Sequence, residues 1–296
     1  MDFKKIILII PYRGIGDLIF HLPLMRGLYQ KYNSKLILIT NSSNKAKFLL
    51  KNEESIKKIE YINFERENQI KNSYLFLKLL NKYKTDLSIL TAPSKRLTIP
   101  LLFSNSKKKI FYKKNSISDL SKYIFDHSKK IFPNIKFEKN YQLTWKKKLL
   151  IKDSIFLSID SHHDQNNWEQ ESFVDLIISF LKIKKIKKIY VNFSPNKILK
   201  FRDMLEKFDR NEKIIFTYND KFEKIIEYIR CSKFVVGNES GPTCLGASFR
   251  KKVFSIYNPK FTPNLSSKII DDSINYFNSK TNKKKFIINS IIKKIK

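Results

Sequence analysis

Residues 6–23 read IILIIPYRGIGDLIFHLP. The five apolar residues Ile6–Ile10 indicate a strand that is buried on both faces. Gly14 and Gly16 then indicate a turn, and apolar residues recur at helical spacing from Leu18 to Leu28. Strand, glycine turn and helix in this order are typical of a parallel βαβ unit. The chain is therefore predicted to open with a Rossmann-like α/β domain, and not with a cleaved leader peptide.

The same alternation of strands and helices continues and is interrupted once, over residues 133–153. We therefore predict two domains, residues 1–145 and 146–296, each built on a parallel sheet. Predicted helices include 43–51 and 196–208, and the lysine-rich tail 280–296 predicts a terminal helix that packs on the body or lies on a membrane surface. Predicted strands are 6–10, 36–40, 57–62, 86–91 and 109–112 in the first domain, then 154–160, 187–193, 213–217, 233–237 and 252–257.

The chain is strongly basic, with 59 Lys and Arg against 27 Asp and Glu and a net charge of +32. Residues 1–150 carry +20 of this and residues 151–296 carry +12. Because Lys, Ile, Asn and Phe are all abundant, compositional bias accounts for about half of the excess. The rest favours an anionic partner for the first domain, and its most basic stretches contain Lys95, Arg96, Lys107, Lys108, Lys109, Lys113 and Lys114.

Several classes of protein are not expected. Specific nucleic-acid recognition lacks a motif, and only 8 arginines are present. No apolar stretch approaches the ~20 residues that span a bilayer. Cys231 and Cys244 form neither a disulfide framework nor a metal-ligand spacing, which favours a reducing cytoplasm.

The six glycines fall into two clusters, and each cluster follows a predicted strand. Open α/β sheets bind ligands at the carboxyl ends of their strands, so both clusters are expected to border one cleft between the two sheets. The clusters are Gly14, Gly16 and Gly27, and Gly237, Gly241 and Gly246.

The first cluster is not a dinucleotide fingerprint, because position 19 is Ile and no acidic residue ends the strand at Thr40. Asp17 lies at the start of the predicted helix. It is either a helix cap or a catalytic carboxylate, and the spacing leaves both open. His21, one turn further on, either touches Asp17 or is packed.

The second cluster lies in residues 234–247, which read FVVGNESGPTCLGA. A buried strand enters a turn of small polar residues, and Pro242 suits the first helical position. This predicts that the N–H groups of Thr243, Cys244 and Leu245 are free to bind an anion such as phosphate. The alternative is an ordinary connection that is capped by Ser240.

Together, three segments resemble glycosyltransferase family 9, the lipopolysaccharide heptosyltransferases. The first is Gly16-Asp17 with Pro23, and the second is Gly237–Pro242 followed by a small-residue helix and the strand 252–257. The third is the strand that ends at Ser161, followed by Asn166-Asn167-Trp168 and a helix. The segments lie in the family's order, and the resemblance spans most of the chain.

The resemblance implies a GT-B fold, with two Rossmann-like domains facing a central cleft, the acceptor on the first and the nucleotide sugar on the second. It implies an inverting transferase that needs no metal or other cofactor and works in the cytoplasm, in peripheral contact with the inner membrane. ADP-heptose is the first expected donor, and lipopolysaccharide or a related anionic glycolipid is the expected acceptor. By matching position, Asp17 is the expected general base, beside Arg13, Gly14, Gly16 and His21 on the acceptor side. The expected donor-binding residues are Ser161, Asn166, Glu239, Ser240, Gly241, Pro242, Thr243 and Cys244.

Three positions depart from the family pattern: Asn166 replaces Lys, Glu239 replaces Asp and Cys244 replaces His. These departures leave open a different nucleotide sugar, or a non-catalytic protein that binds polyanions. The run His162-His163-Asp164 either supplies replacement contacts to phosphate or is an exposed polar loop. A metal site is not expected there, because adjacent histidines rarely converge on one ion.

Overall fold

The computed structural model describes residues 3–62, 69–113, 120–146, 152–161, 167–257 and 274–296. It divides into two compact units, Met1–Lys146 and Lys147–Lys296, and each unit has its own sheet. All the strand pairs in both sheets are parallel. The predicted α/β class with two parallel sheets is therefore confirmed.

The first sheet contains five strands in the order β3-β2-β1-β4-β5. Its three inner strands, β1, β2 and β4, are buried along their whole length, as a parallel sheet covered on both faces requires. The direction of sheet growth reverses between β1 and β4, which makes their carboxyl ends the switch point of this sheet. The strands are β1 (Ile6–Ile10), β2 (Leu36–Thr40), β3 (Ile56–Tyr61), β4 (Leu87–Leu90) and β5 (Lys108–Phe111).

The described part of the first unit contains six α-helices, five of them between its strands and one after β5. The helix predicted through Leu18 and Leu28 is divided at His21, because Pro23 has no N–H to donate to Ile19. The helices are α1 (Ile15–Phe20), α2 (Leu22–Tyr32), α3 (Ala46–Leu49), α4 (Gln69–Tyr83), α5 (Lys95–Leu102) and α6 (Leu120–Ile131).

The helix predicted over 43–51 is wrong in most of its length. A 3₁₀ turn occupies Ser42–Asn44, and α3 has only four residues. The side chain of Asn41 accepts the Ser43 N–H at 3.0 Å, and that of Asn44 accepts the Ala46 N–H at 3.2 Å. Short polar side chains that bind nearby backbone in this way compete with the helix.

The second sheet contains six strands in the order β11-β10-β9-β6-β7-β8, and its direction of growth reverses between β6 and β9. The edge strand β11 was not predicted, because only Phe277 of its four side chains is buried and no apolar run announces it. The strands are β6 (Lys152–Ser158), β7 (Lys188–Asn192), β8 (Ile214–Phe216), β9 (Ser232–Asn238), β10 (Lys252–Tyr257) and β11 (Asn275–Asn278).

The helices described in the second unit are α7 (Gln170–Leu181), α8 (Arg202–Phe208), α9 (Phe222–Cys231), α10 (Gly241–Ser248) and α11 (Lys284–Ile295). The predicted terminal helix is confirmed as α11. It packs against α7 and buries Ile287, Ile291 and Ile295 in the core of the unit, so the apolar stripe of the tail is used in packing. In the described part of the chain, no helix combines the length and the apolar character needed to cross a membrane.

Gly237 controls how closely β9 approaches β6, and its replacement tests that contact. It pairs with Ser158, has a φ of +150°, and a Cβ at this position would collide with the Ser158 carbonyl oxygen. We expect Gly237→Ala to lower the free energy of unfolding by about 3 kcal/mol or more, from strain and steric collision together. Urea unfolding followed by circular dichroism measures it. Gly241→Ala, at a glycine whose φ is not positive, is the matched control, and equal midpoints for the two variants would contradict the prediction.

Candidate functional site

The first candidate site is formed where the chain leaves β1 and enters α1. Residues 11–14 form a loop in which Gly14 is extended, and α1 begins at Ile15 with Asp17 in its first turn. Oδ2 of Asp17 accepts the N–H of Gly14 at 3.1 Å. A Cβ on Gly14 would lie 2.7 Å from the same oxygen, so glycine is the residue that admits this contact. The carboxylate is therefore a helix cap, and it lies at the switch point of the first sheet.

The Asp17 carboxylate is unusually basic. Burial raises its pKa to about 6, although the hydrogen bond from Gly14 works in the opposite direction. The group is ionised at neutral pH, yet it holds a proton far more readily than an ordinary aspartate. Burial and the charge of Asp17 also raise the pKa of the neighbouring Tyr12 hydroxyl. A pKa perturbed mainly by burial at a sheet switch point is a mark of a functional carboxylate.

His21 is fully buried between α1 and α2, and it contacts Asp17 through the backbone. Its Nδ1 donates to the Asp17 carbonyl at 2.6 Å, and its ring lies 5.7 Å from that of Tyr12. Burial lowers its pKa to about 4, so the ring is neutral. Of the two predicted alternatives, both hold: His21 is packed with no surface exposed, and it contacts the Asp17 backbone. Its expected place on the acceptor side stays a prediction.

The other acceptor-side residues shape the loop. Arg13 is exposed, and its carbonyl accepts the hydroxyl of Ser43 at 2.9 Å, which ties the loop to the segment after β2. Gly14 supplies the N–H that Asp17 accepts. Gly16 is half-buried inside α1.

The second candidate site lies at the switch point of the second sheet, where β6 and β9 are neighbours. Ser158 ends β6, Ser240 follows β9, and their hydroxyl oxygens are 3.4 Å apart. Carboxyl ends of adjacent strands at a switch point form the crevice in which open α/β sheets bind ligands.

The turn into α10 differs from the prediction in one respect. The helix begins at Gly241, which places Pro242 second, and the N–H of Cys244 donates to the Ser240 carbonyl at 3.1 Å. The N–H of Thr243 is accepted by the Ser240 side chain in a capping box, so the expected cap by Ser240 is present, and Gly241 is the first-turn position whose N–H has no acceptor within the helix. The N–H groups of Cys244 and Leu245 are therefore not free for an anion.

The side chains predicted to bind the donor are placed unequally. Thr243 is fully buried, and its Oγ1 accepts the N–H of Ser240 at 2.9 Å, so it holds the turn. Cys244 is buried, with 5% of its surface exposed. Glu239 and Ser240 are half-buried, and the Glu239 N–H donates to β10 at Ile256. Asn166 and the run 162–164 lie outside the described residues.

Asn238, at the end of β9, is hydrogen-bonded to residues that follow β6. This fully buried side chain accepts the N–H of Trp168 at 2.9 Å. Its Nδ2 donates to the Ile159 carbonyl at 2.9 Å and to Oδ1 of Asn167 at 3.1 Å. The loop after β6 is thus held against the end of β9.

Lys197 is a site residue that sequence reasoning missed. The predicted helix 196–208 begins instead with 3₁₀ turns at Pro195–Lys197 and Leu199–Phe201. The Nζ of Lys197 forms an ion pair with Asp160, whose side chain is 4% exposed. It also donates to the Ser161 carbonyl at 3.1 Å. A cation from the end of β7 therefore lies at the end of β6. The acid of this pair was visible in the sequence, but nothing announced its partner 37 residues away.

No family model matches the chain, and no curated protein does. Solved structures do share its fold. A glycosyltransferase family 9 structure from Veillonella parvula DSM 2008 has a TM-score of 0.75 at 14% identity and covers 100% of this chain and 90% of its own. The ADP-heptose LPS heptosyltransferase II of E. coli has a TM-score of 0.72 at 12% identity, with 98% of each chain covered.

The fold also extends to a different kind of enzyme. The UDP-GlcNAc 2-epimerase of Methanocaldococcus jannaschii has a TM-score of 0.51 at 15% identity and covers 97% of this chain and 91% of its own. At these identities the likeness establishes the fold and leaves the reaction to the site residues. The chain therefore has the GT-B-type fold of two Rossmann-like domains that the resemblance to family 9 predicted.

Proposed function

We propose that this chain is an inverting glycosyltransferase that moves a sugar from a nucleoside diphosphate to an acceptor hydroxyl. The observation that carries the proposal is Asp17, a half-buried carboxylate with a pKa of about 6 at the switch point of the first sheet. As first donor we propose ADP-heptose, and as acceptor the lipopolysaccharide core or a related anionic glycolipid. The reaction takes place in the cytoplasm and needs no metal or other cofactor.

Asp17 is suited to the role of general base. A base works best when its pKa lies just below the operating pH, where it is ionised but still takes a proton readily. One carboxylate oxygen accepts the Gly14 N–H, which fixes the orientation of the group. The neutral His21 below it places no positive charge nearby, so the basicity of Asp17 is kept.

The second unit would hold the leaving group. A diphosphate gains negative charge as the sugar departs, and that charge must be met by N–H groups or cations. The turn at Ser240–Thr243 offers the start of α10, an eight-residue helix with Pro242 in its first turn. Lys197 supplies a positive charge at the end of β6, where its ion pair with Asp160 holds it.

Lys197 takes the part that the family assigns to a lysine at position 166, where this chain has Asn. Its partner Asp160 also accepts the Ser194 N–H at 3.2 Å and the Asn167 amide at 3.3 Å. The carboxylate is therefore stabilised by three donors, and the ion pair fixes the position of Nζ as much as it neutralises the acid. A cation held in this way is suited to a diphosphate.

The donor is the part of the proposal that rests most on likeness, since the E. coli neighbour is an ADP-heptose enzyme. Another nucleotide sugar, and a polyanion-binding protein without activity, are the alternatives that the departures at 166, 239 and 244 raise. A thermal-shift screen of nucleoside diphosphates and nucleotide sugars separates them, because a ligand of the native state raises its melting temperature. Absence of any shift would remove the proposed function.

Replacement of Asp17 by Asn is expected to abolish transfer and to stabilise the fold. The amide oxygen still accepts the Gly14 N–H but takes no proton at neutral pH, so turnover falls on the order of 100-fold or more. The raised pKa means that ionising Asp17 costs folding free energy as pH rises from about 4 to about 6. At pH 8 the variant should therefore gain about 1–3 kcal/mol in unfolding free energy, and the gain should shrink at pH 5.

Two measurements check this prediction. The kcat/KM of the wild-type protein should rise with pH and level off above about 6, since the base must be ionised. Chemical denaturation at both pH values measures the stability difference, and His21 is the same in both proteins, so its titration cancels. A folded variant with normal turnover would remove Asp17 from the mechanism.

Removal of Lys197 is expected to weaken nucleotide binding. Lys197→Met should raise the Kd for the best diphosphate of the screen about 10–100-fold, since a charge-assisted hydrogen bond is lost. Lys197→Arg should retain part of the affinity. Isothermal calorimetry measures both.

Two controls separate charge from folding. Lys197→Met alone leaves Asp160 buried and unpaired, so the double variant Asp160→Asn/Lys197→Met is the decisive one. It should melt close to the wild type and still bind diphosphate poorly. Lys224→Met removes an exposed lysine paired with Asp220 in the same unit and should bind normally. Wild-type affinity in the double variant would show that Lys197 serves the fold only.

A further inference from the structure

The outer faces of α4 and α5 are exposed and apolar. Among the described residues, eight large apolar side chains are exposed, and six of them lie on these two helices or directly after α5. Ile70 is 89% exposed and Phe103 is 74% exposed. The set is Ile70, Tyr74, Leu75, Ile99, Leu102 and Phe103. Concentration of this kind marks an interaction surface, because single exposed apolar residues are normally scattered.

The two helices present these side chains on one surface. The inner face of α4 buries Phe76 and Leu80 in the core of the first unit, so Ile70 and Tyr74 point the other way. The hydroxyl of Ser73 donates to the Arg96 carbonyl at 3.3 Å near one end. At the other end, the N–H of Asn105 donates to the side chain of Asn81 at 2.8 Å. The helices are thus joined side by side, and we call their outer surface the α4–α5 face.

The charge of this face has one sign. Residues 69–83 and 94–113 contain no Asp or Glu, whereas Lys71, Lys78 and Lys95 are exposed on the two helices. Among the described residues, Lys82 is the one basic residue of α4 that pairs with an acid, its Nζ lying 3.9 Å from Glu60. Apolar side chains among basic ones, on helices that lie flat on the unit, match the two layers of an anionic bilayer surface.

We propose that the α4–α5 face docks on an anionic lipid bilayer, with Ile70, Ile99 and Phe103 entering the interface and the lysines contacting lipid phosphates. A second copy of the chain fits less well, because it would bring another basic face against this one. The proposal goes beyond the sugar-transfer reaction. Docking on the bilayer would bring the first unit close to a lipid-linked acceptor.

The mode of binding differs from attraction by charge alone. Two lysines of the basic stretches are engaged within the unit, since Lys107 pairs with Asp86 at 2.8 Å and the Lys109 ammonium donates to the Leu102 carbonyl at 2.9 Å. Lys114 lies outside the described residues. Binding through the α4–α5 face should therefore keep a measurable part in ~0.5 M salt, where purely electrostatic attraction is screened.

Co-sedimentation with vesicles tests the proposal without any sugar transfer, so its failure is separate from failure of the proposed function. Vesicles of equal parts phosphatidylglycerol and phosphatidylcholine should bind the protein, and vesicles of phosphatidylcholine alone should bind it weakly. Ile70→Ser/Phe103→Ser should lower the partition coefficient about tenfold or more. In a separate variant, Phe103→Trp, the tryptophan fluorescence at position 103 should shift to the blue when the anionic vesicles are added.

Two matched controls sharpen the test. Leu199→Ser/Phe286→Ser removes two exposed apolar side chains from the second unit and should bind like the wild type. Lys35→Gln/Lys57→Gln removes two charges from a cavity of about 330 Å³ lined by six lysines in the first unit, and it should weaken binding less than Lys71→Gln/Lys95→Gln. Equal effects of the two serine pairs would overturn the proposal. The proposal would also be overturned if the wild-type protein were a dimer that did not bind vesicles and that Ile70→Ser/Phe103→Ser dissociated.

Discussion

The contact between β9 and β6 at Gly237 is the constraint on which the second site depends. Because no side chain stands between Gly237 and the Ser158 carbonyl, the two strands end side by side. The residue after Gly237 then reaches across: Asn238 binds the Ile159 carbonyl and the backbone of Trp168. The end of β9 is therefore joined by hydrogen bonds to Ile159 and to Trp168, both of which follow β6.

In the first unit a single carboxylate has a structural role and, in the proposed function, a catalytic role. Asp17 caps α1, which is a structural use, and the burial that comes with the cap raises its pKa to about 6. Burial also keeps His21 neutral, so His21 adds no positive charge that would lower the basicity of Asp17. Folding free energy is lost to keep this charge partly buried, as is common where a site needs a perturbed group.

The sequence predicts the strands and both site loops, and the reasons are local. Continuous apolar runs such as Ile6–Ile10 have few alternatives to a buried parallel strand, and glycines mark the turns that follow. What it misses depends on distant contacts. Strand β11 has no apolar run of its own, and α3 is shortened by the caps of Asn41 and Asn44. His21 lies at the helix break before Pro23, and the apolar periodicity of the sequence does not predict that break.

Lys197 illustrates why a sequence motif can locate the strand ends that form the second candidate site and still miss a charged residue placed there. In a parallel sheet every strand delivers its loop to the same edge, so a charge needed beside β6 is available from the loop after β6 or from the loop after β7. This chain has Asn at position 166 and brings Lys197 from the end of β7, where Asp160 fixes its ammonium. A solved fold shared at 12–14% identity is consistent with such exchange, because sheet geometry restricts where a group must stand more than which residue provides it. Under the proposed function, Lys197 therefore supplies from the end of β7 the charge that the family pattern places at position 166.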